Sequence, residues 1–147
     1  MKKVTLALMI IAALTVACNQ SPKKAGSNET SKVETVFTAD NSVVYVYYFH
    51  GKQRCKTCVA VGDIAKETVE KEYASNEKVV FVEINTASDK EFDALCEKYE
   101  VSWNALIIAK GEDFVEITDQ AFATAVGNPQ ALENLIKEEV EKLLAYQ

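Results

Sequence analysis

Val43-Val44-Tyr45-Val46-Tyr47-Tyr48-Phe49 runs without a charge into His50-Gly51-Lys52-Gln53-Arg54 and then Cys55-Lys56-Thr57-Cys58. A continuous stretch of β-branched and aromatic residues reads as a strand buried on both faces, because a half-exposed strand would alternate apolar and polar positions. The glycine and the polar residues after it mark a loop. The cysteine pair therefore falls where a central strand has ended and the next element begins.

The flanking sequence supplies that next element. Val61, Ile64, Ala65, Thr68, Val69 and Tyr73 recur at helical spacing, which predicts a helix over Val59 to Tyr73. Val79 to Ile84 (VVFVEI) is a second strand-like run, so strand, helix and strand imply a crossover joining two parallel strands. A second helix is expected over Ser88 to Tyr99, with Ser88 as N-cap, Glu91 at the capping-box position and Phe92, Leu95, Cys96 and Tyr99 as its apolar stripe. Ala105 to Ala109 and Phe114 to Thr118 read as strands joined by the Lys110-Gly111-Glu112-Asp113 turn. Asn128-Pro129 opens a C-terminal helix with the stripe Leu132, Leu135, Ile136, Val140, Leu143 and Leu144. The order βαβαββα, with Val33 to Phe37 as a candidate extra edge strand, predicts an α/β domain: an open mixed sheet with helices on both faces.

At the start of a helix the sulfurs meet unpaired backbone N–H groups and a partial positive charge, both of which favour a thiolate over a thiol. Arg54 and Lys56 add cations beside them. This environment predicts a lowered Cys55 pKa and an attacking thiolate near neutral pH. Cys58 is spaced to close a short ring with Cys55 and so release a mixed-disulfide partner. No organic cofactor is needed for that exchange.

This order of elements, with CxxC at the end of a central strand, resembles the thioredoxin-like fold over about Val43 to Leu144. That resemblance implies a three-layer α/β/α sandwich around a mixed sheet and a catalytic pair, Cys55 and Cys58. More narrowly, the run Tyr48-Phe49-His50-Gly51-Lys52-Gln53-Arg54-Cys55-Lys56-Thr57-Cys58 resembles a family of small thioredoxin-like proteins named ArsF, described as nitrophenyl-compound nitroreductase subunits. The family name implies a link to arsenicals or nitroaromatics. Ordinary thioredoxins carry Trp where this chain has Arg54, Gly-Pro where it has Lys56-Thr57, and a cis-Pro facing the active site. Here the facing stretch is Val101-Ser102-Trp103-Asn104-Ala105-Leu106, with no proline, so a trans loop is expected, since a non-proline cis bond costs about 3–4 kcal/mol.

The rest of the 147-residue chain narrows the classes of function. It is 48% hydrophobic and 26% charged, a globular balance. Its formal net charge of −6 leaves no basic patch for a phosphate backbone, so nucleic acid is not an expected partner. Met1-Lys2-Lys3 followed by the apolar run Val4 to Ala17 reads as a signal peptide over residues 1–17, too short to span a bilayer comfortably. Cys18 directly after it resembles the lipidated cysteine of bacterial lipoproteins, although Thr15 stands where Leu is usual. Residues 18–32 then form a polar tether and 33–147 the folded domain, giving a membrane-anchored protein facing the periplasm.

Each candidate residue has a plainer reading beside the chemical one. Cys55 and Cys58 could be a structural disulfide, but so short a loop constrains the unfolded chain little. A closed zinc site wants four ligands, and a second CxxC or paired His is missing from the sequence. His50 is either a proton shuttle near the cysteines or a loop residue bonded to backbone. Cys96 reads as a small apolar core residue, or else as a third thiol joining Cys55 and Cys58 around a soft metal or trivalent arsenic. Trp103 is a loop-to-core anchor or a platform facing the pair. Three functions remain open at this point: thiol–disulfide exchange or dithiol electron transfer with a protein partner, a soft-metal or arsenic(III) carrier, and an interaction protein with incidental cysteines.

Overall fold

The computed structural model describes residues 40–145. The expected signal segment 1–17, Cys18, the expected tether 18–32 and the candidate edge strand Val33 to Phe37 lie outside the described residues.

Strand β1 spans Val44–His50, and every one of its residues is buried. That is the outcome of placing it between two neighbours and two layers of helices. It pairs in parallel with β2, Val79–Asn85, in a register that sets Tyr48 beside Glu83 and His50 beside Asn85. On its other side it pairs antiparallel with β3, Ala105–Lys110, which in turn pairs antiparallel with β4, Asp113–Glu116. The four-stranded sheet has the order β2-β1-β3-β4.

Alternate β1 residues feed two cores. Val44, Val46 and Tyr48 pack with Leu106 and Ile108 against helix α1 (Lys56–Glu72) through Val61, Ala65 and Val69. The C-terminal helix joins the same layer through Leu132, Ile136 and Val140. Tyr45, Tyr47 and Phe49 point the other way, onto Phe92, Leu95 and Tyr99. Those residues belong to a 3₁₀ turn, Lys90–Phe92, to the short helix α2, Asp93–Lys98, and to the residue after it. Burying each such side chain contributes about 1.5–3 kcal/mol before the entropy cost of ordering it. The result is the mixed-sheet, three-layer α/β/α architecture that the thioredoxin-like resemblance implied.

Two local expectations are corrected. The Ser88/Glu91 capping box does not form. Asp89 instead turns back to accept the Asn85 N–H at 2.7 Å and the Ser88 hydroxyl at 2.7 Å, which delays the helix to Asp93. The second hairpin strand ends at Glu116, and Thr118 opens a further helix, α3, Thr118–Thr124. The helical stripe read from Val59 is extended back to Lys56, and Cys58 lies inside the first turn, as expected of a pair at the helix start. The C-terminal helix, α4, runs Pro129–Ala145, and Asn128 caps it by accepting the Ala131 N–H at 3.3 Å.

Helix α2 ends in a way that matters for the site. Val101 N–H returns to the Cys96 carbonyl at 2.8 Å and Glu100 N–H to Glu97 at 3.2 Å, while Glu100 takes φ +53°. This is a Schellman turn with a glutamate where glycine is usual. It reverses the chain and aims Ser102 and Trp103 toward the loop that follows β1. The described residues contain no cis peptide bond, so the Val101 to Leu106 loop runs trans.

Candidate functional site

The end of β1 delivers the chain into the loop 51–55, and Cys55 becomes the N-cap of α1, with φ −77° and ψ 170°. In that extended conformation its Sγ lies over the first turn and accepts the Cys58 N–H at 3.2 Å. A sulfur occupies the place usually taken by a Ser or Asp oxygen. Cys55 is exposed, whereas Cys58 is buried at 5% exposure.

The two thiols are driven apart in acidity. Hydrogen bonding from the Cys58 side chain, then from the Cys58 and Thr57 backbone N–H groups, holds Cys55 below the usual cysteine range. Burial, then the bond to Cys55, pushes Cys58 up. An exposed thiolate-forming sulfur therefore sits against a buried, proton-holding one, which is the division of labour that attack and resolution require.

Arg54 does not direct its charge at the sulfur. Its Nη1 bonds Glu83 Oε1 at 2.7 Å, its Nη2 approaches the Cys58 carbonyl at 3.5 Å, and its guanidinium lies 5.4 Å from the centre of the Tyr48 ring. Lys56 is the first, exposed residue of α1. The lowered pKa of Cys55 thus comes from hydrogen bonds of the helix turn, and the two cations stand beside it. His50 is buried beneath this layer. Its Nδ1 faces the Gly51 carbonyl at 2.8 Å and its Nε2 faces Glu83 Oε1 at 3.3 Å.

Three residues that sequence reasoning passed over complete the support. Tyr48 donates its hydroxyl to the Cys58 carbonyl at 2.6 Å, and burial raises its pKa to about 12, so the phenol keeps the proton it donates. Glu83 joins His50 to Arg54. Gly62 leaves room for both: a Cβ there would stand 2.6 Å from Arg54 Nη2 and 2.7 Å from the Tyr48 ring. The signal for Glu83 was present, since it is the one charge interrupting VVFVEI. Its partners, however, come from a different strand and loop.

Cys96 is not brought to the pair. It is partly buried in the cluster on the opposite face of the sheet, with Leu95 and Tyr99, and burial pushes its thiol up. Among the described residues no three His, Cys, Asp or Glu side chains converge to hold a metal ion. The three-thiol arrangement of Cys55, Cys58 and Cys96 is therefore not assembled, because the sheet separates its members. Trp103 is not a core anchor either. It is 76% exposed and lines a cleft with Lys52, Gln53, Thr86, Ala87 and Ser102.

No protein-family model matches the chain, and no curated protein matches it. Among solved structures it is similar to one described as a malarial protein, at 20% identity over 67% of this chain and 98% of that one, with a TM-score of 0.44. It is also similar to the first two thioredoxin domains of Saccharomyces cerevisiae Eps1p, at 14% identity and a TM-score of 0.48. That match covers 83% of this chain and 43% of the other, so the chain spans less than half the length of that structure. Neither similarity carries the ArsF name. Among the described residues no helix is long and apolar enough to cross a membrane.

Proposed function

We propose that this chain is a thiol–disulfide oxidoreductase whose working pair is Cys55 and Cys58. The observation that carries the reading is the exposed Cys55 sulfur capping α1 at 3.2 Å from the Cys58 N–H, with the Cys58 thiol buried behind it. The Cys55 thiolate attacks a partner disulfide, forming a mixed disulfide and releasing one partner thiolate, which takes up a proton. Cys58 then loses its proton and attacks the Cys55 sulfur, closing the internal disulfide and expelling the second partner thiolate. The partner gains two electrons and this protein loses them, and a dithiol donor restores the pair. The same steps run in reverse when the partner dithiol is the stronger reductant.

Tyr48 and Arg54 position this chemistry rather than perform it, by holding the Cys58 carbonyl and hence the first turn of α1. His50 and Glu83 hold Arg54 in turn. The Met1 to Cys18 segment supports a location to go with the chemistry: acyl chains on Cys18 would tether the domain to a bacterial membrane, facing the periplasm. The narrower kinship with the ArsF family rests on the Tyr48 to Cys58 run alone, and the exchange chemistry stands without it.

Trapping tests the reading. A Cys58→Ser variant should accumulate mixed disulfides through Cys55 in cells, and Cys55→Ser should accumulate none. A protein whose Cys55 keeps the alkylation profile of an ordinary thiol, and which traps nothing, would refute it.

A further inference from the structure

From the charge and shape around this pair we infer which partner it takes: a protein segment carrying acidic residues and an aromatic or large apolar side chain beside its disulfide. This rests on the oxidoreductase reading and goes on to specify the substrate. The chain as a whole is acidic, with a net charge of −6, yet the loop 51–58 contains Lys52, Arg54 and Lys56 and no acid. Lys52 and Lys56 are both exposed, and neither forms an ion pair with another described residue.

Two acids of the neighbouring strand and turn have partners of their own. Glu83 is held by Arg54 and His50, and Asp89 by the Asn85 N–H and the Ser88 hydroxyl. With Arg54 matched by Glu83, the unmatched cations beside Cys55 are Lys52 and Lys56, a local excess of positive field on a chain that is negative as a whole. Such a field raises the encounter rate of an anionic partner and repels a cationic one.

Shape supplies the second half. The cleft between the Gly51 to Gln53 loop, Thr86–Ala87 and Ser102–Trp103 has a volume of about 340 Å³, room for a few side chains of an extended segment. Its wall at Trp103 is an indole held out at 76% exposure by the Schellman turn behind it. An exposed tryptophan beside a cation suits an aromatic side chain with a carboxylate close by.

The test uses the full chain and four disulfide probes in stopped-flow exchange. Two are disulfide-linked peptides that share a phenylalanine and differ only in Asp or Lys flanks; the others are oxidised glutathione and uncharged hydroxyethyl disulfide. At low salt the Asp peptide should react about tenfold faster than the Lys peptide, and the gap should close as salt shortens the screening length. Lys52→Glu, which leaves Lys56 as its counter-charge, should close most of that gap and leave the hydroxyethyl disulfide rate unchanged. Trp103→Ala should slow both peptides about tenfold and again spare the small probe. Equal rates for the two peptides, or oxidised glutathione matching the Asp peptide with the same response to both variants, would overturn the inference while leaving the exchange reaction standing. Failure of Cys55 to react with hydroxyethyl disulfide would overturn the oxidoreductase reading itself.

Discussion

Gly62→Ala isolates the packing that seats the cysteine pair. In an exposed helix this change would stabilise by about 1 kcal/mol, because alanine loses less backbone entropy on folding. Here the new Cβ would meet Arg54 Nη2 at 2.6 Å and two Tyr48 ring carbons at 2.7 and 2.9 Å. The guanidinium is the tip of a flexible side chain and can retreat. Tyr48 cannot: it is fully buried, and its hydroxyl is tied to the Cys58 carbonyl at 2.6 Å. Overpacking against such a ring costs about 1–3 kcal/mol, and contacts this short belong at the upper end. The expected balance is a loss of about 1–2 kcal/mol, seen in urea unfolding as a midpoint lower by about 0.5–1 M. Displacing Tyr48 and Arg54 also loosens the first turn of α1, so thiol titration of the folded variant should place Cys55 closer to an ordinary cysteine. A neutral or stabilised Gly62→Ala protein with unchanged Cys55 acidity would refute this account of how the site is held.

Four further outcomes are expected. Cys58→Ala removes the largest cause of the lowered Cys55 pKa, leaving the backbone N–H bonds, so alkylation of Cys55 at neutral pH should slow while its rate in strong alkali does not. The sign for stability differs between the two thiols. Cys55, shifted down, contributes stability above the usual cysteine pKa that is lost as pH falls through its folded value; Cys58, shifted up, contributes below the usual value and loses it as pH rises. Tyr48→Phe deletes the bond to the Cys58 carbonyl and should cost about 1 kcal/mol in chemical denaturation, with the fold retained. Glu100→Gly relieves the left-handed conformation at φ +53° and should raise stability by about 0.5–1 kcal/mol, measured as a higher unfolding midpoint.

The elements read most securely from sequence are those whose burial is written in consecutive residues. Val43 to Phe49 announced a strand covered on both sides, and β1 is the central, wholly buried strand. The CxxC pair announced its place by lying between that strand and a helical stripe. Asn128-Pro129 announced a helix start because a cap needs only its own few residues. The errors arose where short polar residues had two local partners to choose from, as at Ser88 and Asp89, or where a helix lacks a cap. Helix α3 begins after Ile117 with no side-chain capping bond, and its buried face amounts to Ala121 within seven residues.

Sequence alone thus determined the strand order along the chain, the position of the thiols at a helix start and the acidity of the chain as a whole. Tertiary structure decided which groups act on those thiols. Glu83 meets Arg54 and His50 because parallel pairing of β1 with β2 sets Tyr48 beside Glu83, a register that depends on both strands together. Cys96 is kept from the pair by the sheet, and Trp103 is turned outward by a reversal of the chain at Glu100. Hydrogen bonds and ion pairs act over a few ångströms, and residues far apart in the chain come within that range only when the sheet and its helices have packed.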